Sequence, residues 1–279
     1  IMFFEGQDLQ LFKYGTSSAE NVTLSFWVKA VKTGTYCIRW VKEAGSGTRY
    51  ETPIEYTISS GSTWEKKVIN LSPTAGSTSL ITGVAGAIAS NNSAGFRIGF
   101  TLAAGTDFHA TNDTWVAGSD KMSTSNQVNG LDSTSNNFWL TGVQLEVGEY
   151  TSSTIPSFQH EAYDVNRQRC LRYYYKYNQS AQSNAVGVSH GMNTAEIFHT
   201  FYYPVIMRSN PTISISAVGD FAINTGAVVL ICNAQSTERI NSTNVILKFG
   251  EGDGGTVGQG TCATLNGDGS SRINADAEL

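Results

Sequence analysis

Apolar and polar residues alternate over short stretches of the first 150 residues. In NVTLSFWVKA, residues 21–30, apolar Val22, Leu24, Phe26 and Val28 alternate with Thr23, Ser25, Trp27 and Lys29. A period of two is that of a β-strand with one buried face. Comparable stretches are TYCIRWV, TPIEYTIS, WEKKVINL, GFRIGFTLA and FWLTGVQLEV. Short strands at such intervals predict an all-β chain that begins with a jelly roll or two-sheet β-sandwich over residues 1–150.

Two of these strands carry neighbouring aromatic residues, Phe26 with Trp27 and Phe138 with Trp139. Successive strand residues point to opposite faces, so one ring of each pair can fill the core while the other lies outside. Counted by strict alternation, Trp139 shares a face with Val143, Leu145 and Val147. A large ring that is part of a patch on an outer face predicts an oligomer interface that covers it.

The alternation stops after Val147, and residues 151–166, which include Pro156, are predicted to be a linker. Strand patterns return in FYYPVIM, PTISISAV, GAVVLICNA and NVILKFG, before a glycine-rich region and a last strand near SRINADAEL. Residues 167–279 are therefore predicted to form a second, smaller β domain.

Composition narrows the class of protein. Only 15% of the 279 residues are charged and the net charge is −5. The chain therefore lacks the excess of basic residues that is typical of nucleic-acid-binding proteins. The sequence has no apolar run near the ~20 residues of a membrane span. The start, IMFFEGQDLQ, lacks a basic region and a cleavage site, so synthesis in the cytoplasm without a signal peptide is expected. The cysteines at 37, 170, 232 and 262 are expected to be reduced, with a disulfide or metal site as the alternative.

Motifs for catalysis and metal binding give weak signals. Residues 187–191, GVSHG, match G-x-S-x-G, but the polar residues before them and the β-rich chain do not provide a strand–turn–helix context. The histidines have no zinc-ligand spacing. The acidic loops EGDGGT and NGDGSS do not have EF-hand spacing. The sequence therefore predicts no catalytic residues, no metal site and no cofactor.

The polar stretch TDFHATNDTWVAGSD, residues 106–120, holds candidate glycan-binding residues. An aromatic ring can cover the apolar face of a pyranose while amide and carboxylate groups bind its hydroxyls. The candidates are Phe108, His109, Asn112, Asp113 and Trp115. The alternative is that Trp115 packs beneath its own loop.

An aromatic and basic run, RQRCLRYYYKY, occupies residues 167–177. Tyrosine and arginine suit contacts that are packed and also hydrogen-bonded, so this segment is predicted to lie near a contact between domains or subunits. The candidate interface residues are Arg169, Arg172, Tyr173, Tyr174, Tyr175 and Tyr177. The alternatives are a receptor-binding surface, or a second domain that folds over the rings within one chain.

Several of these blocks resemble one family of proteins. EGQDLQLFKYGTSSAENVTLSFWVKAVKTGTY, WEKKVINL, FWLTGVQLEVGEY, RQRCLRYYYKY and the closing MRSNPTISIS and RINADAEL resemble tail-fibre and related structural proteins of tailed phages. The opening block is similar to jelly rolls of the carbohydrate-binding-module type. One departure is that TSSTIPSFQHE stands where the family usually has Thr-Pro-Phe-Glu.

The resemblance implies a non-enzymatic component of a phage virion. It implies part of a tail fibre or receptor-binding protein, with host-surface polysaccharide as a candidate partner. The alternative is a purely structural virion protein, such as a capsid decoration or tail scaffold. The implied partners are other copies of the chain in a homotrimer and other virion proteins, with no nucleic acid and no membrane insertion.

Overall fold

The computed structural model of this chain describes residues 1–45, 48–118, 120–178, 185–193, 195–224, 229–250, 260–265 and 271–278. It divides into two compact units, Ile1–Gln159 and His160–Leu279. Strands dominate both units, so the prediction of an all-β fold is confirmed. None of the helices in these described ranges is long and apolar enough to cross a membrane.

The first unit is built from eight named strands. These are β1 (Met2–Glu5), β2 (Val22–Ala30), β3 (Gly34–Lys42), β4 (Tyr50–Ile58), β5 (Glu65–Leu71), β6 (Ala94–Thr101), β7 (Val116–Ala117) and β8 (Phe138–Val147). Short 3-10 turns lie at Gly6–Phe12, Ala75–Ser77, Val84–Gly86 and Thr106–Phe108. One sheet has the order β1-β6-β3-β4-β7 and the other the order β5-β2-β8, and neighbouring strands in both sheets are antiparallel.

The two sheets of the first unit enclose one apolar core. Leu24 and Phe26 of β2 and Ile38 and Trp40 of β3 belong to the same buried cluster. All four side chains are fully buried. For Leu24 and Phe26, this burial is what the alternation in β2 predicts. The chain returns repeatedly from one sheet to the other, so this unit is a two-sheet sandwich, as predicted.

A β-bulge corrects the predicted alternation of β8. Ser25 pairs with Gln144 and Trp27 pairs with Thr141, so β8 carries an extra residue opposite Phe26. Gly142 lies at this point with φ +59°, a left-handed conformation that favours glycine. The prediction that Trp139 shares a face with Val143, Leu145 and Val147 is therefore wrong. Trp139 points away from the core, whereas those three residues pack against it.

The second unit begins with the helix α1 (Tyr163–Leu171). Its strands are β9 (Tyr174–Asn178), β10 (Ala185–Gly191), β11 (Glu196–Tyr202), β12 (Thr212–Ile215), β13 (Phe221–Asn224), β14 (Val229–Ile231), β15 (Ala234–Ile240), β16 (Asn244–Gly250), β17 (Gly260–Leu265) and β18 (Arg272–Asp276). One sheet has the order β14-β13-β17-β10-β11-β16-β15 and the other β12-β18-β9. A 3-10 turn lies at Val218–Asp220.

The core of the second unit uses residues from both of its sheets. Phe201 of β11, Leu247 of β16 and Ile273 of β18 belong to one buried cluster. The loops EGDGGT and NGDGSS of the glycine-rich region fall on residues 251–256 and 266–271, of which the structure describes only Ser271. The final strand predicted near SRINADAEL is present as β18.

Candidate functional site

Three half-exposed tryptophans lie together on the outer face of the sheet β5-β2-β8. Trp27 is 43% exposed, Trp64 42% and Trp139 40%. Together with Lys29 and Lys66 they form what we call the tryptophan surface: Trp27, Lys29, Trp64, Lys66 and Trp139. The remaining two tryptophans of the chain, Trp40 and Trp115, are buried.

Strand pairing places these side chains in two rows. Lys29 pairs with Trp139 across β2 and β8, and Trp64 directly precedes Glu65, the partner of Val28. Lys29 therefore lies between two indoles, with its Nζ atom 4.3 Å from the ring centroid of Trp139 and 5.3 Å from that of Trp64. These are cation–π distances. The second row places Trp27 between Lys66 of β5 and Thr141 of β8.

Local structure explains how each ring reaches this face. The bulge at Gly142 turns Trp139 outward, and a Cβ atom on Gly142 would come within 3.3 Å of Cδ1 of Trp27. The loop before β5 is attached to β2, because Ser62 N donates to Ala30 O at 2.7 Å. The Glu65 carboxylate accepts hydrogen bonds from the N–H groups of Ser59 and Ser60. These bonds hold Trp64 beside Lys29.

The rest of the same sheet face is covered by the chain itself. Tyr150 N donates to Thr23 Oγ1 at 3.1 Å, and Gln144 Nε2 donates to Pro156 O at 3.2 Å. Thr23 and Ser25 are buried although they point away from the core. Residues 150–156, of which 151–156 belong to the predicted linker, thus lie on this face within the first unit. The tryptophan surface lies outside the part that they cover.

The open surface has the dimensions of a binding platform. Neighbouring strands are ~4.8 Å apart, so Trp64 and Trp139 are about 10 Å apart at their backbones. Each indole exposes about 100 Å², and the three together about 300 Å², a size at which an apolar surface patch is often functional. Flat rings in this arrangement can stack against the apolar faces of sugar rings or against apolar groups of a protein.

The structure contradicts one of the glycan-binding candidates in the segment at residues 106–120. Trp115 is 1% exposed and its Nε1 atom donates to Ser72 O at 2.9 Å, so the prediction of a sugar-stacking ring at Trp115 is wrong. Asn112 Oδ1 accepts from Glu55 N at 2.9 Å, and Asp113 N donates to Pro53 O at 2.9 Å.

The physical reason for this correction is edge protection. Residues 112–113 and β7 lie along the edge of β4. A strand edge that is covered in this way cannot pair with another chain. Phe108 remains 39% exposed. His109 is half-buried and forms a bridge with Ser123.

An ionic cluster lies on the outer side of the five-stranded sheet. Arg39 is 6% exposed and Glu51 is 0% exposed. Glu51 Oε1 lies 3.1 Å from Arg39 Nη2 and 2.8 Å from Arg49 Nη2, and its Oε2 accepts from Lys121 N at 2.6 Å. Asp120 also contacts Arg39, at 2.8 Å. This hydrogen bond lowers the pKa of the Asp120 carboxyl group, and the charge of Arg49 lowers it further. Because the charges are paired, this cluster is a structural network.

The aromatic and basic segment divides between the core and the surface. Tyr175 and Tyr177 pair with Ala275 and Ile273 of β18, and both rings contact Phe201, with centroids 5.9 and 5.2 Å away. These two rings therefore pack within the second unit. This packing matches the alternative in which a second domain folds over the rings within one chain. Their predicted place near a contact between subunits stays a prediction.

The remaining candidates of this segment differ in exposure. Tyr174 is 40% exposed, and Arg172 and Tyr173 are half-buried, with backbone carbonyls that accept from Arg208 N and Ala277 N. Arg169 is exposed and lies 3.0 Å from Glu161. It belongs to α1, in which no residue is buried.

Residues 187–191 lie inside β10 and do not form a turn before a helix, so the strand–turn–helix geometry of a hydrolase nucleophile is not formed there. Ser189 Oγ lies 3.0 Å from Nδ1 of His199, its partner across β10 and β11. Ser189 is 3% and His199 1% exposed, so a polymer cannot reach the hydroxyl group. This pair is a cross-strand contact inside the second unit.

Within the described residues, no group of three or more His, Cys, Asp or Glu side chains is placed to hold a metal ion. Cys37 and Cys170 are free thiols, and Cys232 is buried. The side chain of Cys262 lies outside the described part of the chain.

No protein-family model, curated protein or solved structure matches the chain. The resemblance to phage virion proteins therefore stays a prediction. Only the surfaces described above bear on what the chain binds.

Proposed function

We propose that this chain is a non-enzymatic component of a phage virion, part of a tail fibre or related receptor-binding protein that contacts glycan on the host surface. The observation that carries the proposal is the tryptophan surface. Three indoles stay half-exposed on one sheet face while the neighbouring part of that face is covered by residues 150–156. The chain itself covers part of this sheet face and leaves the three indoles open. An exposed aromatic patch of this kind supports the presence of a ligand that binds there.

The chemistry of the surface suits a glycan. The apolar face of a pyranose stacks on an indole. The rings here lie on β2, on β8 and at the residue before β5, so that more than one sugar of a polymer can be contacted. Trp27 and Trp139 lie on strands, and Trp64 directly precedes β5 in a loop held by hydrogen bonds, so little ordering is required on binding. The proposal places the protein on the virion after synthesis in the host cytoplasm.

The test measures binding of the full-length chain to a panel of purified bacterial capsular polysaccharides and lipopolysaccharide O-chains. Replacing Trp27, Trp64 and Trp139 together by alanine is expected to weaken binding by about tenfold or more, because each ring contributes roughly 0.5–1.5 kcal/mol. Phe108→Ala removes an aromatic ring of similar exposure elsewhere in the unit and is expected to bind like the wild type. The polysaccharide is expected to keep its chain length.

Two results would reject the glycan proposal. One is that the wild type binds no member of the panel. The other is that the triple tryptophan variant, folded as judged by circular dichroism, binds as tightly as the wild type. If the triple variant loses contacts with virion proteins and no glycan is bound, the chain is the purely structural virion protein of the alternative proposal.

We also propose that the chain assembles as a homotrimer, with α1 and Tyr174 near the contact. The supporting observation is that α1 has nine residues, none of them buried, with Tyr163 81% and Val165 44% exposed. Isolated helices shorter than ~12–15 residues are marginal in water, so a helix of this length needs packing to be stable. Other copies of the chain can provide that packing.

Tyr174 and Tyr175 provide a matched pair for this proposal. Tyr174→Ala is expected to weaken assembly by about 1–3 kcal/mol without lowering the stability of the second unit. Tyr175→Ala is expected to lower that stability by a similar amount, because its ring stacks on Phe201. Light scattering gives the mass, and thermal unfolding gives the stability. A wild-type chain that is a monomer at micromolar concentration would reject the trimer.

A further inference from the structure

We propose that the glycan recognised by the tryptophan surface is acidic, a polysaccharide that carries carboxylate, sulfate or phosphate groups. This inference rests on the proposed function and names the class of ligand. It follows from the two lysines that lie among the three rings.

Lys29 and Lys66 are the charged residues of the tryptophan surface. Lys29 lies between the indoles of Trp64 and Trp139, and Lys66 is exposed beside Trp27. Among the described residues, neither lysine forms an ion pair with a carboxylate. A ring contact holds an ammonium group in place but does not neutralise its charge, so both cations remain available to an anion.

The carboxylates of the same sheet are engaged elsewhere. Strands β2, β5 and β8 carry only Glu65 and Glu146. Glu65 accepts from Ser59 N and Ser60 N and lies 2.6 Å from Lys67 Nζ. Glu146 Oε1 accepts from Gln144 Nε2 at 2.8 Å, towards the far end of β8. The tryptophan surface is therefore locally basic although the chain carries a net charge of −5.

The local charge outweighs the net charge at physiological ionic strength. The Debye length is then ~8 Å, so acidic residues further away are largely screened, whereas a lysine in contact with the ligand is not. A sugar stacked on Trp27 or Trp139 has Lys66 or Lys29 beside it in the same row. An anionic substituent on that sugar can thus bind a lysine while the ring stays stacked. The two lysines also argue against a contact between identical surfaces of two copies, because like charges would face each other.

The experiment uses the full-length chain and two matched sets of polysaccharides. One set consists of acidic bacterial capsular polysaccharides, and the other of the same polymers after reduction of their carboxyl groups or removal of sulfate and phosphate. The wild type is expected to bind the acidic set at least about tenfold more tightly, with an affinity that falls as salt is raised.

Variants separate the charge from the rings. Lys29→Gln with Lys66→Gln is expected to weaken binding of the acidic set by about fivefold or more and to leave weak binding of the neutral set unchanged. Lys29→Arg with Lys66→Arg is expected to restore most of the loss, because the charge is kept. Lys13→Gln with Lys121→Gln removes the same charge elsewhere in the first unit and is expected to have no effect.

The possible failures are distinguishable. Binding of neither set rejects the proposed function itself. Equal binding of both sets, or an unchanged affinity of the Lys29→Gln/Lys66→Gln variant, keeps the glycan proposal and overturns the acidic one. Oligothymidylate serves as a further probe, since nucleobases also stack on indoles. If it binds as tightly as the acidic glycans, the surface is a site for single-stranded nucleic acid and the inference is wrong.

Discussion

Phe26→Ala is expected to lower the free energy of unfolding of the first unit by about 3–5 kcal/mol, the usual loss for a buried phenylalanine. Phe26 is fully buried at the centre of the sandwich. Its ring lies in edge-to-face contact with Tyr56 and Phe100, with centroids 5.2 and 5.0 Å away. The substitution removes both contacts and leaves a cavity between the two sheets.

The adjacent residue is the matched control. Trp27→Ala removes a larger ring from the same strand, but from the outer face, and is expected to cost about 1 kcal/mol or less. Urea unfolding followed by tryptophan fluorescence measures both, because all five tryptophans lie between Trp27 and Trp139 in the first unit. A loss for Trp27→Ala as large as that for Phe26→Ala would mean that Trp27 is not on an open surface.

Glu51→Gln is expected to lower the stability of the same unit by about 3 kcal/mol, because removing one member of a buried ion pair leaves its partner uncompensated. Arg39 is 6% exposed and contacts Glu51 at 3.1 Å, and Arg49 contacts the same oxygen at 2.8 Å. Glutamine keeps the volume of the side chain but removes the charge that both guanidinium groups face.

Asp120→Asn tests the exposed side of the same network. Its expected cost is at most about 1 kcal/mol, as for exposed ion pairs. Because Arg39 and Arg49 lower the pKa of Asp120, the wild type is the more stable of the two near neutral pH. This difference is expected to disappear as the pH falls through the lowered pKa, where the wild-type carboxyl group is protonated. If Glu51→Gln costs no more than Asp120→Asn, the cluster is not buried as described.

The strands of the first unit can be predicted well from the sequence because one of their faces is buried. The alternation in NVTLSFWVKA separates Phe26 from Trp27, and the burial of Phe26 and the exposure of Trp27 confirm it. The same counting is wrong for Trp139, since a bulge shifts the alternation by one residue. Gly142 within the strand pattern was the signal for this bulge, because an isolated glycine in a strand often marks one.

The tryptophan surface as a whole could not be predicted in the same way. Trp64 follows the polar stretch SSGST. Its place beside Lys29 depends on the pairing of β5 with β2, two strands separated by residues 31–64. Trp115 failed as a glycan candidate for a related reason. In sequence, the loop around Trp115 resembles an exposed polar segment. The hydrogen bond from Trp115 to Ser72 and the cover of β4 by this loop arise only in the folded chain.

In the second unit the sequence predicts the strands, but it does not predict which tyrosines pack in the core and which lie on the surface. Alternation requires that Tyr174 and Tyr175 point to opposite sides of β9. It does not tell which side faces the core. Pairing with β18 decides this, because Ala275 and Ile273 belong to the core and bring Tyr175 and Tyr177 with them.

The central claim, that the tryptophan surface binds glycan, is tested most directly by fluorine NMR of the chain labelled with 5-fluorotryptophan. The five tryptophans give five signals, which single Trp→Phe substitutions assign. On addition of oligosaccharides from an acidic polysaccharide that binds, the signals of Trp27, Trp64 and Trp139 are expected to shift, while those of the buried Trp40 and Trp115 stay unchanged. Saturating binding that leaves all three surface signals unmoved would contradict the account.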